Sequence, residues 1–216
     1  NKYMDLVGIQ KLINRHTIAN FIDLCGQLRF QVRWAQTPRV PQTTVLGHSM
    51  MVAVLSFFFT MELPYCPKRL FNNFFCGIFH DLPEAVTRDI ISPVKRASLD
   101  FEKLISHIEE ELAENEIYPL VEPDWVQELK SFTQDEFQNK ITIDGNRTIA
   151  QSVSDITENY NEDRFNPMDG ELVRAADRFS AFLEAWNSCT SGIKSEELMN
   201  ALNKIKEEYK NSEAPT

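Results

Sequence analysis

An apolar run, Phe74, Phe75, Cys76, Gly77, Ile78 and Phe79, ends on adjacent His80 and Asp81, and Glu84 follows four residues after the histidine. Taking a carboxylate out of water costs several kcal/mol unless a cation or hydrogen bonds compensate, so this pair asks for a partner. A divalent metal is the obvious one. On a helix His80 and Glu84 share a face, and Asp81 stands about 100° round, so all three can border one pocket. The plainer reading is a capping or surface pair, which is what a His-Asp dipeptide usually is.

Two further residues pose the same question. His48 lies among Leu46, Met51, Val52 and Leu55, where a core histidine satisfied by its neighbours is the ordinary explanation. Asp177 lies between Ala175, Ala176 and bulky Phe179, where an unpaired carboxylate would be poorly solvated. A salt bridge from Arg174 or Arg178 is the alternative there. His16 and His107 read as partly buried or solvated residues. Taken together, His48, His80-Asp81 and Asp177 carry more weight than any one of them.

The elements that must position these residues are helices. Ile9, Leu12, Ile13, Ile18, Phe21, Ile22, Cys25 and Leu28 recur at three and four, so residues from about 5 to 28 are expected to form an amphipathic helix. After a proline-bounded loop, Thr43 or Thr44 can cap a second helix that carries His48 and runs to Met61. Pro64 and Pro67 break it, and Lys68 to about Thr87 is read as the helix carrying His80 and Asp81. Gly77 would let a neighbouring helix approach closely. A charged helix is expected from about Ser98 to Asn115, burying Phe101, Leu104, Ile105, Ile108 and Leu112, and another near Asp124 to Phe132. Residues 140–143 look strand-like before a turn at Asp144-Gly145. Helices are then expected at Arg147 to Tyr160, Gly170 to Asn187 and Ser195 to Lys210. In the second of these the core face reads as Leu172, Val173, Ala176, Phe179, Ser180, Leu183 and Trp186, with Asp177 at its edge.

With 216 residues, 43% of them hydrophobic and 15 of them Phe, the chain can bury a full core as one domain. Its net charge of -10 argues against a nucleic-acid polymer as partner, because most of the surface would repel the phosphates. A small phosphorylated substrate stays compatible, since a local cation or metal can overcome the mean field. Cys25, Cys66, Cys76 and Cys189 show no Cys-x-x-Cys pairing, and no signal peptide precedes them, so reduced thiols and a cytoplasmic location are expected. The longest greasy run, Met50 to Met61, is too short to span a bilayer, and no membrane partner is expected. The chain begins with Asn1 rather than Met, which suggests processing or a fragment of something longer.

The order and rough spacing of His48, His80-Asp81 and Asp177 resemble the HD-domain metal-dependent phosphohydrolases, whose signature is a His, a His-Asp pair and a distant Asp on separate helices. The closer similarity is to bacterial 5'-deoxynucleotidases of that superfamily. Arg33-Trp34, Gly47-His48-Ser49, and His80-Asp81-x-x-Glu84-x-x-Thr87-x-Asp89 followed by Ser92-Pro93-Val94-Lys95 match that pattern over roughly residues 10 to 187. Arg88 departs from it, standing where the family usually has Gly, and the motif-free stretch from about Lys95 to Asn146 is longer than the resemblance leads one to expect.

What the resemblance implies is an all-α HD-domain helical bundle occupying residues 1–216, with its core at about 10–187 and a last helix at about 195–210. It implies one divalent metal held by His48, His80, Asp81 and Asp177. Such a set leaves positions open for water and a phosphate oxygen and suits Mn, Co, Fe or Zn rather than Ca. It further implies Glu84 as the residue holding and deprotonating an attacking water, and Asp89 as one that orients that water or protonates the leaving 5'-oxygen. Arg33 and Lys95 would bind phosphate and Trp34 the sugar or base. The substrate would be a nucleoside 5'-monophosphate, and a homodimer is compatible. An HD hydrolase of triphosphates or guanosine polyphosphates, and a nucleotide sensor without turnover, remain as rival readings. Two-metal phosphodiesterases and diiron oxygenases need more histidines than His16 and His107 supply.

Overall fold

A computed structural model describes residue 10 and residues 17–87 and 99–210, with the side chains of 99–103 and 106 excepted. Helix α1 (Thr17–Gln27) passes through a 3-10 turn (Leu28–Phe30) into an extended segment. That segment pairs with the residues just before α2 (Val45–Met61): Arg33 donates its N–H to the Thr43 carbonyl, and Val45 donates to Gln31. Thr44 caps α2, its hydroxyl accepting from the Gly47 N–H at 3.1 Å. Next come α3 (Pro67–Phe79), a short α4 (Glu84–Thr87), α5 (Leu99–Leu112) with a π-helical turn after it, and α6 (Pro123–Thr133). A two-stranded antiparallel hairpin, β1 (Lys140–Ile143) and β2 (Asn146–Ile149), precedes α7 (Val153–Asn159), α8 (Gly170–Thr190) and α9 (Glu196–Lys210). The all-α bundle expected from the sequence is the architecture found.

Helices α2, α3 and α8 form the centre. A Cβ on Gly77 of α3 would lie 2.7 Å from the Ala53 Cα of α2, so the two backbones meet at a distance only glycine permits. Val52, Cys76, Phe132, Met168, Val173 and Ala176 pack into one buried cluster between these helices and α6. The start of α8 is clamped to α3. Asp169, its N-cap residue, takes a two-pronged ion pair from buried Arg69 at 2.7 Å and 2.7 Å, and exchanges hydrogen bonds with Asn73 at 2.7 Å and 2.8 Å. A buried pair of this kind is costly to break and fixes geometry more than it adds stability. Here it sets the height of α8 against α3, and so of Asp177 against His80.

The structure corrects several element boundaries. The helix expected from Lys68 to Thr87 stops at Phe79, because Pro83 has no N–H to donate and its ring would crowd the Phe79 carbonyl. Leu82 bonds to Phe79 and Glu84 to Asp81 in tight turns instead. The helix expected from Arg147 begins only at Val153, with Ser152 as its cap. Residues 146–149 pair with β1 across the Asp144-Gly145 turn. On α8, Phe179 and Trp186 are 41% and 44% exposed, and the buried stripe runs through Leu172, Ala176, Ser180, Glu184 and Ser188. On α5, Leu104 and Ile108 face outward while Ile105 is buried. His16 and the expected helix before Thr17 lie outside the described residues, as does the loop 90–93.

Candidate metal centre

His48 projects inward from the first turns of α2 and is fully buried. His80 stands at the C-terminus of α3, Asp81 in the turn after it, and Asp177 midway along α8. The possible ligand atoms of His48, His80 and Asp177 all lie within 4.8 Å of one another. Asp81 joins them: its Oδ2 is 3.2 Å from His80 Nε2 and 3.8 Å from His48 Nε2. Thus a broken helix and two long ones bring together four residues spread over most of the chain.

The hydrogen-bond partners of the two imidazoles indicate what this group lacks. His80 Nδ1 lies 3.0 Å from the Gly77 carbonyl, which can only accept, so Nδ1 carries the hydrogen and Nε2 of the neutral ring presents a bare lone pair. That Nε2 and Asp81 Oδ2, both buried, are close but not aligned as a hydrogen bond. His48 Nδ1 lies 3.2 Å from Glu184 Oε1 and 3.1 Å from the Ser180 hydroxyl. With Glu184 ionised, Nδ1 is again the protonated nitrogen, and the His48 Nε2 lone pair faces Asp177 Oδ1 at 2.9 Å. Lone pairs at such distances repel unless a proton or a cation stands between them. The donor set therefore fits a metal ion, with both imidazoles already turned and held by their outer nitrogens.

Without a metal, protons answer the same charge. Burial opposes protonation of His80, but Asp81 and Asp177 outweigh it and push its pKa up to about 9. Burial opposes ionisation of Asp81 as well, yet His80, His48 and Arg33 hold its carboxyl far below the usual range. Asp177 is likewise lowered, burial being outweighed by its hydrogen bond to His48 and the charges around it. Neither alternative partner of Asp177 is engaged with it: Arg178 faces Glu208, and Arg174 lies over the Phe137 ring. His107 is solvated, beside Glu111.

Glu184 is the residue that sequence reasoning missed. It is buried, and besides holding His48 it accepts from Trp34 Nε1 at 2.7 Å and faces Arg33 Nε at 3.4 Å and an Arg39 guanidinium nitrogen at 3.9 Å. Burial raises a carboxyl, but the His48 hydrogen bond and the Arg33 charge bring Glu184 down to about 2. A signal was present: Glu184 stands two turns after Asp177, in a stripe of small residues spaced by four.

Arg33 is 3.5 Å from Asp81 and, despite its burial, the carboxylates of Glu184, Asp81, Asp177 and Glu84 keep it charged. Trp34 adopts a left-handed backbone (φ 59°) and packs against Ala185, Cys189, Leu198 and Leu202 of α8 and α9. Arg33 and Trp34 line a hollow of ≈ 280 Å³ with Arg39 and Gln42. A larger cavity of ≈ 330 Å³ opens beside His80 and Asp81, and Glu84, Tyr118, Glu136 and Arg174 line it. Burial holds Glu136 above its ordinary range. The structure thus brings His48, His80, Asp81, Asp177, Glu84 and Arg33 to one region, while Trp34 turns toward α9. Asp89 and Lys95, with Arg88, lie outside the described residues.

Residues 25–206 match the family model described as the HD domain. The chain belongs to the HD-domain family. The HD-domain chain shares its fold with a crystal structure of an HD-domain phosphohydrolase from Listeria innocua, at 15% identity and TM-score 0.65, over 89% of this chain and 81% of that one. A conserved hypothetical protein from Pyrococcus furiosus is similar at 19% identity and TM-score 0.56, covering 88% and 90% of the two chains. A Pyrococcus horikoshii protein follows at 19% identity and TM-score 0.53, covering 86% and 87%. No match was found among curated proteins. HD-domain membership and the His48, His80 and Asp177 group agree on a metal-dependent protein. Among the described residues, no helix is long and apolar enough to cross a membrane.

Proposed function

We propose that this HD-domain protein is a metal-dependent phosphohydrolase that releases phosphate from (deoxy)ribonucleoside 5'-monophosphates. The observation that carries the reading is the set of inward-turned donors, His48 Nε2, His80 Nε2, Asp81 Oδ2 and Asp177 Oδ1, of which His80 and Asp81 line a cavity of ≈ 330 Å³. When bound there, a divalent Mn, Co, Fe or Zn supplies Lewis acidity to a phosphoryl group and acidity to water. Glu84, on the same cavity wall, serves as the base that holds and deprotonates the attacking water. Arg33 has guanidinium N–H groups beyond those facing Asp81 and Glu184, and they receive a phosphate oxygen. Asp89 orients the water or protonates the leaving 5'-oxygen, Lys95 adds charge against phosphate, and Trp34, whose ring packs toward α9 but which lines the smaller hollow with Arg33, would wall the sugar from that side.

The choice of monophosphate has its own support. Glu84, Glu109, Glu110, Asp135 and Glu136 line the cavity, with Arg174 the cation among its described lining residues. A wall of that sign disfavours each added phosphate on a triphosphate or guanosine polyphosphate. The volume lies at the lower end of what small-molecule sites occupy, roughly 300–1,000 Å³.

Phosphate release from mono-, di- and triphosphates, with each of several metals, tests the reading. Turnover should be highest on monophosphates. Asp177→Asn should lose both metal and nearly all turnover, and full metal occupancy in that variant sinks the ligand assignment. Binding of nucleotide without release, under every metal, would instead favour a sensor. Comparing 2'-deoxy and 2'-hydroxy monophosphates in wild type and Trp34→Ala decides the role of Trp34, since an unchanged ratio removes it from sugar recognition.

A further inference from the structure

Helix α2 is built inside out. Its inward face carries small or polar residues, among them Ser49, Val52, Ala53, Ser56 and Thr60, all fully buried. Ser49 and Thr60 return their hydroxyls to the helix's own carbonyls, and the small side chains admit α3 at the Gly77 crossing. The outward face holds the large apolar side chains: Leu46, Met50, Met51, Phe58 and Met61 are 38%, 52%, 45%, 58% and 46% exposed. No Asp, Glu, Lys or Arg occurs between Val45 and Met61. A helix greasy on all sides normally has protein on all sides.

The patch is larger than chance exposure. Five side chains of about 200 Å² each, about half exposed, leave on the order of 500 Å² of apolar surface, near the top of what ordinary monomers show. A ladder of rings extends it sideways onto α3, from Phe58 to Phe57 at 5.5 Å, to Phe74 at 6.4 Å, to Phe75 at 5.4 Å and to Phe71 at 4.5 Å. Phe71 is itself 41% exposed. The extended patch approaches the roughly 800 Å² per partner that a standard interface buries.

We infer that this face of α2 is covered by the same face of a second copy of the chain, the two helices crossing at Val54 about a two-fold axis. The residue pattern is self-complementary about that point. Val54, smaller than its neighbours, stands mid-helix in the outward stripe, with Met50 four residues before it and Phe58 four after. Each copy's Met50 then lies over the other's Phe58, as a two-fold contact requires. Charge points the same way. Two chains of net charge -10 repel over most of their surface, so self-association needs a face low in charge; α2 carries no charged residue, and the cation at the α3 edge of the patch, Lys68 over the Phe71 ring, is paired with Glu128. A lipid surface would want a row of unpaired Lys or Arg along the apolar stripe, and α2 itself has none.

Light scattering on the full chain at micromolar concentration tests the inference. Wild type should give twice the chain mass of 25.0 kDa. Val54→Glu and Phe58→Glu should each give the single-chain mass while keeping far-UV helicity and metal binding. Oxidised Val54→Cys should form a covalent dimer that oxidised wild type does not. If Val54→Glu fails to fold, Phe58→Glu and the Val54→Cys cross-link decide. A monomeric wild type overturns the inference. So does a dimer that survives Phe58→Glu and gives no Val54→Cys cross-link, which would place the contact on another face. Wild-type pelleting with phospholipid vesicles, abolished by Phe58→Glu, would assign the face to a membrane and overturn it too.

Discussion

Glu184 organises more of the site than any residue that touches the candidate metal position. One buried carboxylate fixes the His48 tautomer, anchors the Trp34 indole and offsets the charges of Arg33 and Arg39. Glu184→Gln keeps a carbonyl oxygen for His48 but removes the charge that two guanidinium groups need. Metal affinity should fall by about 10–100-fold, the usual effect of losing a partner behind a ligating histidine. Glu184→Ala, which takes from Arg39 its carboxylate partner and leaves Arg33 to Asp81, should also lower stability by about 3–5 kcal/mol. Competition with a chelator, together with urea unfolding, separates the two effects. Unaltered metal affinity in both variants would show that Glu184 supports the fold alone.

Protons and metal compete for His80. In the metal-free protein its pKa stands at about 9 against an ordinary 6.5. A raised folded-state pKa means that protonation stabilises the metal-free fold fully below about 6.5, and that this contribution is lost as pH rises through about 9. A metal needs the same Nε2, so binding must expel the proton wherever the pH lies below about 9. Apparent affinity should therefore climb by up to about tenfold per pH unit as pH rises toward about 9 and level off above it, with proton release visible by calorimetry. A flat profile would remove His80 Nε2 from the ligand set. The four proposed ligands stood out because polar residues in apolar stretches are conspicuous, and it was the family resemblance that joined them into one set. Glu184 was not, since a lone Glu between Leu183 and Ala185 looks like any helix residue until its neighbours in space are known.

At the scale of elements, the periodic helices were legible and the interruptions were not. Caps and apolar spacing located α2, α6, α8 and α9 to within a few residues, because local signals set their ends. Residues 147–149 read as the start of a helix because a strand of four residues leaves little pattern of its own, and its partner β1 decides its conformation. The faces of α5 and α8 are right at Ile105, Leu172, Val173, Ala176 and Ser180 and wrong at Leu104, Ile108, Phe179 and Trp186, for a related reason. Periodicity finds an apolar stripe but not which side of it meets the rest of the protein. Where two helices must touch closely, the constraint is severe. Gly77→Ala would drive a Cβ to 2.7 Å from the Ala53 Cα, so α2 and α3 must part. About 1–3 kcal/mol of stability should be lost. Because these helices carry His48 and His80, metal affinity should fall as well. Denaturant unfolding and a metal titration on the same preparation check both, and a variant with wild-type affinity would show that the crossing does not set the ligand spacing.

For the molecule as a whole, the net charge of -10 bears on how a phosphorylated substrate arrives. An acidic surface repels a dianion at distances of the Debye length, about 10 Å at 0.1 M salt, while contacts inside the cavity are screened much less. Arg33 lies within the site, held between Asp81 and Glu184, and contributes little to the field outside it. Encounter should therefore be slowed by the mean field and eased by added salt. On the proposed activity, kcat/KM for a nucleoside 5'-monophosphate should rise a few-fold between about 20 mM and about 200 mM salt, and more steeply for the corresponding triphosphate. Duplex DNA should not compete at either salt. Steady-state rates at low substrate concentration give the slope directly. A value that fell with salt would mean that a local cationic surface governs approach, and would reverse the argument from net charge.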